Sequence, residues 1–431
     1  LNQVQAHIPD LGHAVVQVSA EAFGPLAEML GVMKVSPLSA LTGHALDRAT
    51  ADGNAALRLN LSLPVANLPQ TRVRGSIVLA GNGVRILPDI PELARARGTV
   101  DFTENSFVLK GMQARTLGGD MQLEGEMKAL PPSAPPAQSA LQLRAQGVAS
   151  AQGLHGAKEL GFLSQLARHA SGSAPYTMEL TLRRGVPELL VNSTLQGLGL
   201  DLPAPFAKSA AEALPVRFER ALTSAALRPA KTAESTPSPL HDQLKLQLGR
   251  WGEFVYVRDL SGVQPRVLRG SIALGLRPEE VAPLPLQGVI ANLQVEQADL
   301  DAWQAMLSGS FAEASAPAYS ASGATASAGP DDLDASNFLT GYLPTTVAVR
   351  AAAIKIQGRT LHQVVIGAMH AGSSWSANLD ARELGGYIEY HEAGSQRYPE
   401  GRLFARLARL AFPRDDSLQK NGLLLDSSIA S

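Results

Sequence analysis

Leu57, Leu59, Leu61 and Leu63 alternate with Arg58, Asn60 and Ser62, a period of two that predicts a strand with one buried face and one wet face. The alternation returns at Val100 and Phe102; at Met121, Leu123 and Met127; at Leu141, Leu143 and Ala145; at Met178, Leu180 and Leu182; and at Leu189, Val191, Ser193 and Leu195. It continues at Leu244, Leu246 and Leu248; at Ile272, Leu274 and Leu276; at Val289, Ala291, Leu293 and Val295; and at Val347, Val349 and Ala351. Such runs, bounded by Gly, Pro, Asn and Asp, predict hairpin-connected antiparallel strands. The chain reads as mostly β.

Three stretches switch to helical spacing. Leu160, Leu163, Leu166, Ala167 and Ala170 predict an amphipathic helix over 157–170, with Lys158, Gln165 and Arg168 on its other side. Asp299 is placed to cap a short helix carrying Leu300, Trp303 and Leu307, and Leu26, Met29, Leu30 and Met33 form a third candidate. Each suits a helix that caps an edge or end of a sheet. Breaks fall at the Pro/Ala run from Pro131 to Ala137, at the proline-containing segment from Ala221 to Leu240, and in the Ser/Ala/Gly tract from Ser308 to Pro330. The expected organisation is β segments at 1–130, 139–220, 241–307 and 337–413, a disordered linker at 308–336 and a tail at 414–431. Two strings, ARTLGGDMQLEG from Ala114 and ARELGGYIEYHE from Ala381, share A-R-x-L-G-G before an alternating run and read as one hairpin unit used twice.

Composition narrows the chemistry. The 431 residues contain no cysteine, which removes disulfides, thiolate metal sites and a thiol nucleophile. Lys and Arg number 37 against 39 acids, which argues against a nucleic-acid binder relying on phosphate neutralisation. The nine histidines form no metal-binding motif, and neither Gly81-Asn82-Gly83 nor Gly197-Leu198-Gly199 extends to a phosphate-binding G-x-G-x-x-G. Acid pairs such as Glu279-Glu280 and Asp331-Asp332 sit in loop composition. No catalytic residues, metal or cofactor are expected. No window of 18 apolar residues spans a membrane, and the chain opens on Leu1, as a piece of a longer protein would.

What remains is aliphatic strand surface with only 5% aromatic residues, which suits acyl chains or ordinary sheet packing better than stacked bases or sugars. Alternation alone leaves those two open, because it shows that a face is buried and not against what.

One segment is more specific. LLVNSTLQGLGLDLPAPFAKSA, Leu189 to Ala210, followed by Leu214-Pro215-Val216, resembles the YhdP-type members of the AsmA-like family of Gram-negative envelope proteins. The resemblance is carried by Ser193, Leu195, Gly197, Leu198, Leu202, Pro203, Pro205 and Lys208, and extends over about 80 to 410 through Gly98–Phe102, Asp299–Trp303 and Trp375–Asn378. It implies a very long protein, anchored by an N-terminal inner-membrane helix absent from this chain. The rest would cross the periplasm as an elongated, twisted antiparallel β-sheet array forming an open apolar groove. Such a groove would pass phospholipids toward the outer membrane, with acyl chains and the two membranes or their proteins as partners. Groove-facing candidates are Leu57, Leu59, Leu61, Leu63, Met121, Leu123, Met178, Leu180, Leu182, Leu244, Leu246 and Leu248. The rival readings are an envelope-assembly scaffold of the same fold without lipid, and an enzyme whose histidine, His155 or His169, meets an acid and a serine on folding.

Overall fold

The structure, a computed structural model, describes residues 3–7, 15–34, 48–65, 67, 70–86, 90–131, 134, 138–228, 239–262, 264–277, 280, 282–306, 341–393, 398 and 400–411. The linker expected at 308–336 and the tail at 414–431 both lie wholly outside these residues. The strands are β1 (Gln3–His7), β2 (Val15–Pro25), β3 (Thr50–Ala51), β4 (Asn54–Pro64), β5 (Arg72–Arg85), β6 (Leu93–Thr103), β7 (Ser106–Thr116), β8 (Gly119–Lys128), β9 (Leu141–Ser150), β10 (Ala170–Arg183) and β11 (Val186–Ser193). They continue with β12 (Leu198–Leu200), β13 (Val216–Leu222), β14 (His241–Leu248), β15 (Gly252–Asp259), β16 (Arg266–Leu274), β17 (Gly288–Asp299), β18 (Thr346–Ile356), β19 (Arg359–Ala371), β20 (Ser374–Asp380), β21 (Leu384–His391) and β22 (Arg402–Leu410).

All 22 strands lie in one sheet. Apart from the short β3 and β12, each strand pairs with the next along the chain, so sequence order is also spatial order. About twenty strands at ~4.8 Å make a ladder on the order of 90 Å along the hydrogen-bonding direction. The expectation of a mostly β array holds, but the sheet is mixed and not wholly antiparallel. β16–β17 and β17–β18 are parallel, so the chain must return across the sheet twice. The first return carries Glu280, which pairs with Arg350 of β18 at 3.4 Å. Alternation within a strand is blind to its direction, which is why the pattern missed this.

One of the three expected helices departs from its predicted span. α1 (Leu26–Lys34) begins where β2 ends and buries Leu26 and Met29. The helix expected over 157–170 is preceded by α2 (Ala151–Gly156) and is itself three pieces: a 3₁₀ turn at Lys158–Leu160, α3 (Phe162–Leu166) and a second 3₁₀ turn at Ala167–His169. Ser150 caps α2 by accepting the Gly153 N–H, and Gly161, at φ 56, breaks the run. Asp299 does cap residues 300–306, its Oδ1 accepting the Ala302 N–H at 2.9 Å.

The two A-R-x-L-G-G strings do different work, which corrects the expectation of a reused hairpin. In the first, Leu117 and Gly118 form the β7–β8 turn with φ 50 and 77, the geometry of a tight hairpin. A Cβ on Gly119 would run into the Val148 carbonyl of β9. In the second, the reversal falls on Ala381–Glu383 and the glycines sit inside β21, where the register to β22 shifts between Gly385 and Gly386.

Two apolar clusters hold the ends of the array. The larger joins Ala55, Ile77, Leu79, Phe102, Met112, Met121 and Met127 between β4 and β9, and the smaller joins Ala351, Ile354, Leu361, Val364 and Leu379 between β18 and β20. Gly119→Ala is expected to lower stability by roughly 1–3 kcal/mol, because the backbone of β9 cannot yield. Urea unfolding followed by circular dichroism checks this, and an unchanged midpoint would show that β8 and β9 do not approach so closely.

Candidate functional site

Antiparallel partners in register lie on the same side of a sheet, so the pairings decide where each candidate side chain sits. Leu57, Leu59, Leu61 and Leu63 oppose Ala22, Ala20, Val18 and Val16 of β2, and Leu57 opposes Ile77 of β5. Ile77 meets Val100, Val100 meets Leu109, and Leu109 meets Gly125, in phase with Met121 and Leu123. Leu123 meets Ala145, which meets Met178; Leu143 meets Leu180, which meets Leu189. Across β13 the same face reaches Leu244, Leu246 and Leu248. All twelve candidates therefore share one face. Eleven are half-buried; Met121, at 5% exposure, is sealed into the larger core cluster. Between β11 and β15 that face carries Leu189, Val191, Phe218, Leu244, Leu246, Leu248 and Phe254, all half-buried.

The opposite face is polar. Cross-strand pairs such as Arg58 with Glu21, Lys110 with Asp101, and Arg144 with Glu179 line it. Arg97, Gln113, Gln122, Gln146, Thr177, Asn192, Arg217 and Gln247 are successive partners across β6 to β14. They line an open concavity of about 1230 Å³. Ala114, Met121, Tyr176 and Val216 line it as well, so the hollow is mixed in character and is not the wholly apolar groove expected from the resemblance.

The signature residues form a clasp beside the sheet. Ser193 Oγ donates to the Pro175 carbonyl at 2.7 Å and accepts the Leu195 N–H at 3.0 Å. Gly197 donates to the Ala210 carbonyl, and Leu198 is buried against Ala151 and Ala174. Lys208, 4% exposed, closes the loop, its Nζ donating to the carbonyls of Leu195, Leu198 and Ser209 at 2.8, 2.7 and 3.0 Å. Burial pulls its pKa below the ordinary lysine value, opposed by nearby Glu212. Leu202, Pro203 and Pro205 shape the strap between. There the Ala204 carbonyl accepts the Trp303 Nε1–H at 3.2 Å, and Phe206 stands edge-on to Trp251 and Trp303. The clasp ties β10, the β14–β15 turn and the helix at 300–306 together.

Sequence reasoning missed a charged cluster on the apolar face. Asp242 is fully buried; Arg258 grips it through Nε to Oδ1 at 2.9 Å and Nη2 to Oδ2 at 2.6 Å, and Arg220 Nε adds a bond to Oδ2 at 2.9 Å. Arg258 Nη1 donates to the Tyr342 hydroxyl, and the Tyr256 hydroxyl, its pKa pushed up to about 12 by burial, donates to the Tyr342 carbonyl. The signal was available: Asp242 is in phase with Leu244, Leu246 and Leu248, and Arg220 with Val216, Phe218 and Leu222.

Against known proteins, the family model described as YhdP protein matches residues 1–428. The chain belongs to the YhdP family. No curated protein and no solved structure matches it. The YhdP family is one of envelope proteins of the lipid-transport type and not of enzymes. Among the described residues, no group of three His, Asp or Glu is placed to hold a metal, and no helix is long and apolar enough to cross a membrane. His155, one of the two histidines on which an enzyme reading would turn, faces the Ser164 backbone carbonyl through Nδ1, while the Ser164 hydroxyl bonds the Gly161 carbonyl.

Lys208→Met removes one donor from each of three carbonyls, of which those of Leu195 and Ser209 keep the Leu198 and Glu212 N–H groups, and a loss of roughly 1–3 kcal/mol is expected. Thermal unfolding checks it. A midpoint equal to the parent's would mean that the clasp contributes no stability.

Proposed function

We propose that the chain is a periplasmic part of a bridge that moves phospholipids between inner and outer membranes, their acyl chains lying on the apolar face of the sheet. The observation carrying this reading is that a single aliphatic face persists in phase from β2 to β21 while staying only half-buried over much of its length. Family membership supports it. Each CH₂ sheltered from water contributes about 0.8 kcal/mol. A face repeating similar side chains at each strand keeps successive positions close in energy, so a lipid can pass along it without a catalyst. In the full-length protein the inner-membrane anchor would fix one end of the bridge.

The second reading, a scaffold of the same fold for envelope assembly without lipid cargo, is favoured by the concavity on the polar face, which offers a surface to a macromolecule. The two differ in what co-purifies. A lysine at the acyl-chain surface costs roughly 2.5–3.5 kcal/mol, so Leu59→Lys and Leu180→Lys are expected to lower co-purifying phospholipid by about tenfold or more, read by mass spectrometry, with circular dichroism unchanged. Thr177→Lys, on the polar face, serves as the control and keeps the parent level. Retention of lipid by both leucine variants would leave the scaffold.

A further inference from the structure

We infer that Arg220, held beside the Asp242–Arg258 pair, is an anion-recognition point on the apolar face that takes the phosphate of an anionic phospholipid headgroup. The inference deepens the lipid-carrying reading and rests on it.

Asp242 and Arg258 make a complete pair. Two parallel hydrogen bonds join them, the Asp242 side chain is wholly buried, and the Arg258 side chain is 8% exposed. The fork of one guanidinium against one carboxylate already balances both charges. Arg220 adds a second cation to the same carboxylate oxygen and leaves the cluster with a surplus positive charge. Its side chain keeps 30% exposure, and among the described residues its two Nη groups have no partner. The nearest other acid on neighbouring strands, Glu188, is engaged by Arg183 and by the Leu222 N–H. A structural pair needs no third member, and a surplus charge next to aliphatic side chains is unfavourable without a counter-ion.

The surroundings select the counter-ion. Arg220 sits between Leu189 and Leu244 in register, so an anion reaching its Nη groups brings whatever is attached to it onto the aliphatic face. The cluster lies where β13 ends and β14 begins, at one margin of the sheet, while Leu244, Leu246 and Leu248 run inward from it. A phosphate at the margin and acyl chains over those leucines satisfy both demands at once. Arg is suited to this, because its planar fork meets phosphate oxygens in pairs. Strand β13 would therefore be a place where lipids pause and are distinguished by charge.

The test compares the parent chain with Arg220→Gln, purified in the same way, by the ratio of anionic to zwitterionic phospholipid bound from vesicles containing equal parts of phosphatidylglycerol and phosphatidylcholine. The variant is expected to bind the same total lipid while the ratio falls by about tenfold. An unchanged ratio at unchanged total overturns the inference and spares the lipid-carrying reading. Should Arg220→Gln fail to fold, Arg220→Met, which leaves the Asp242–Arg258 pair intact, reads the same ratio. If the parent chain binds no lipid at all, the underlying reading fails, and titration with inorganic phosphate alone then decides. Arg220-dependent binding keeps the anion point with a free phosphate as its source, and no binding overturns it.

Discussion

The structure depends on a phase relation. A sheet side chain repeats every two residues, so a slip of one residue anywhere along the ladder would turn the aliphatic side of one strand toward its neighbour's polar side. Here the phase survives from β2 to β21 even where register shifts. In β7 the inward residues are odd-numbered, Phe107 and Leu109, and then even-numbered, Met112 and Ala114, with Gly111 at φ 58 absorbing the extra residue. In β5 the change falls between Leu79 and Asn82, and Asn82 pins it by accepting the Ala80 N–H and donating to the Asp52 and Asn54 carbonyls. These irregularities bend the sheet without mixing its faces.

The part of the fold legible in the sequence is the part governed by local chemistry. Leu57 to Leu63 and Met178 to Leu182 announce strands because the period of a strand is a property of single residues. The Asp299 cap is legible for the same reason. Features that depend on a partner far along the chain were not legible. The parallel β16–β17–β18 arrangement depends on two returning connections. The second A-R-x-L-G-G string differs from the first because Glu383 accepts the His362 N–H at 2.7 Å, also meets its ring Nδ1, and so holds the reversal earlier in the string, ahead of the glycines. The signature loop was recognisable as a pattern, but its use as a clasp appears only once Lys208 meets three carbonyls.

The charged cluster shows how the two faces are kept honest against each other. An ion pair buried among leucines is seldom more stable than apolar packing of the same volume, yet removing one partner leaves a buried charge and is costly. Tyr342, reaching β15 from the segment before β18, makes the arrangement specific: its hydroxyl accepts from Arg258 while its ring stands against Tyr256 at 5.1 Å between centroids. The cluster thus ties the parallel part of the sheet back to the antiparallel part. It also marks the margin of β13–β15 as the place where the aliphatic face carries charge.

Among the described residues, the apolar face is only partly covered by the chain's own elements. A sheet with one aliphatic side normally packs it against helices or a second sheet. Here all 22 strands belong to a single sheet, and the described helices are short pieces: α1 against β3 and β4, α2 beside β9 and β10 with α3 packed on α2, and residues 300–306 against the clasp. Where those strands and helices suffice, as around Met127 and Ala55, side chains fall to 1% and 0% exposure. Between β11 and β15 they do not, and residues as apolar as Phe218 and Leu246 stay half-buried. Covering that stretch with more protein would have stabilised the chain by the ordinary hydrophobic gain; on the lipid-carrying reading proposed above, a guest that can leave again would supply that layer. Acyl chains would suit that role, because they cover apolar side chains without requiring any one fixed set of contacts.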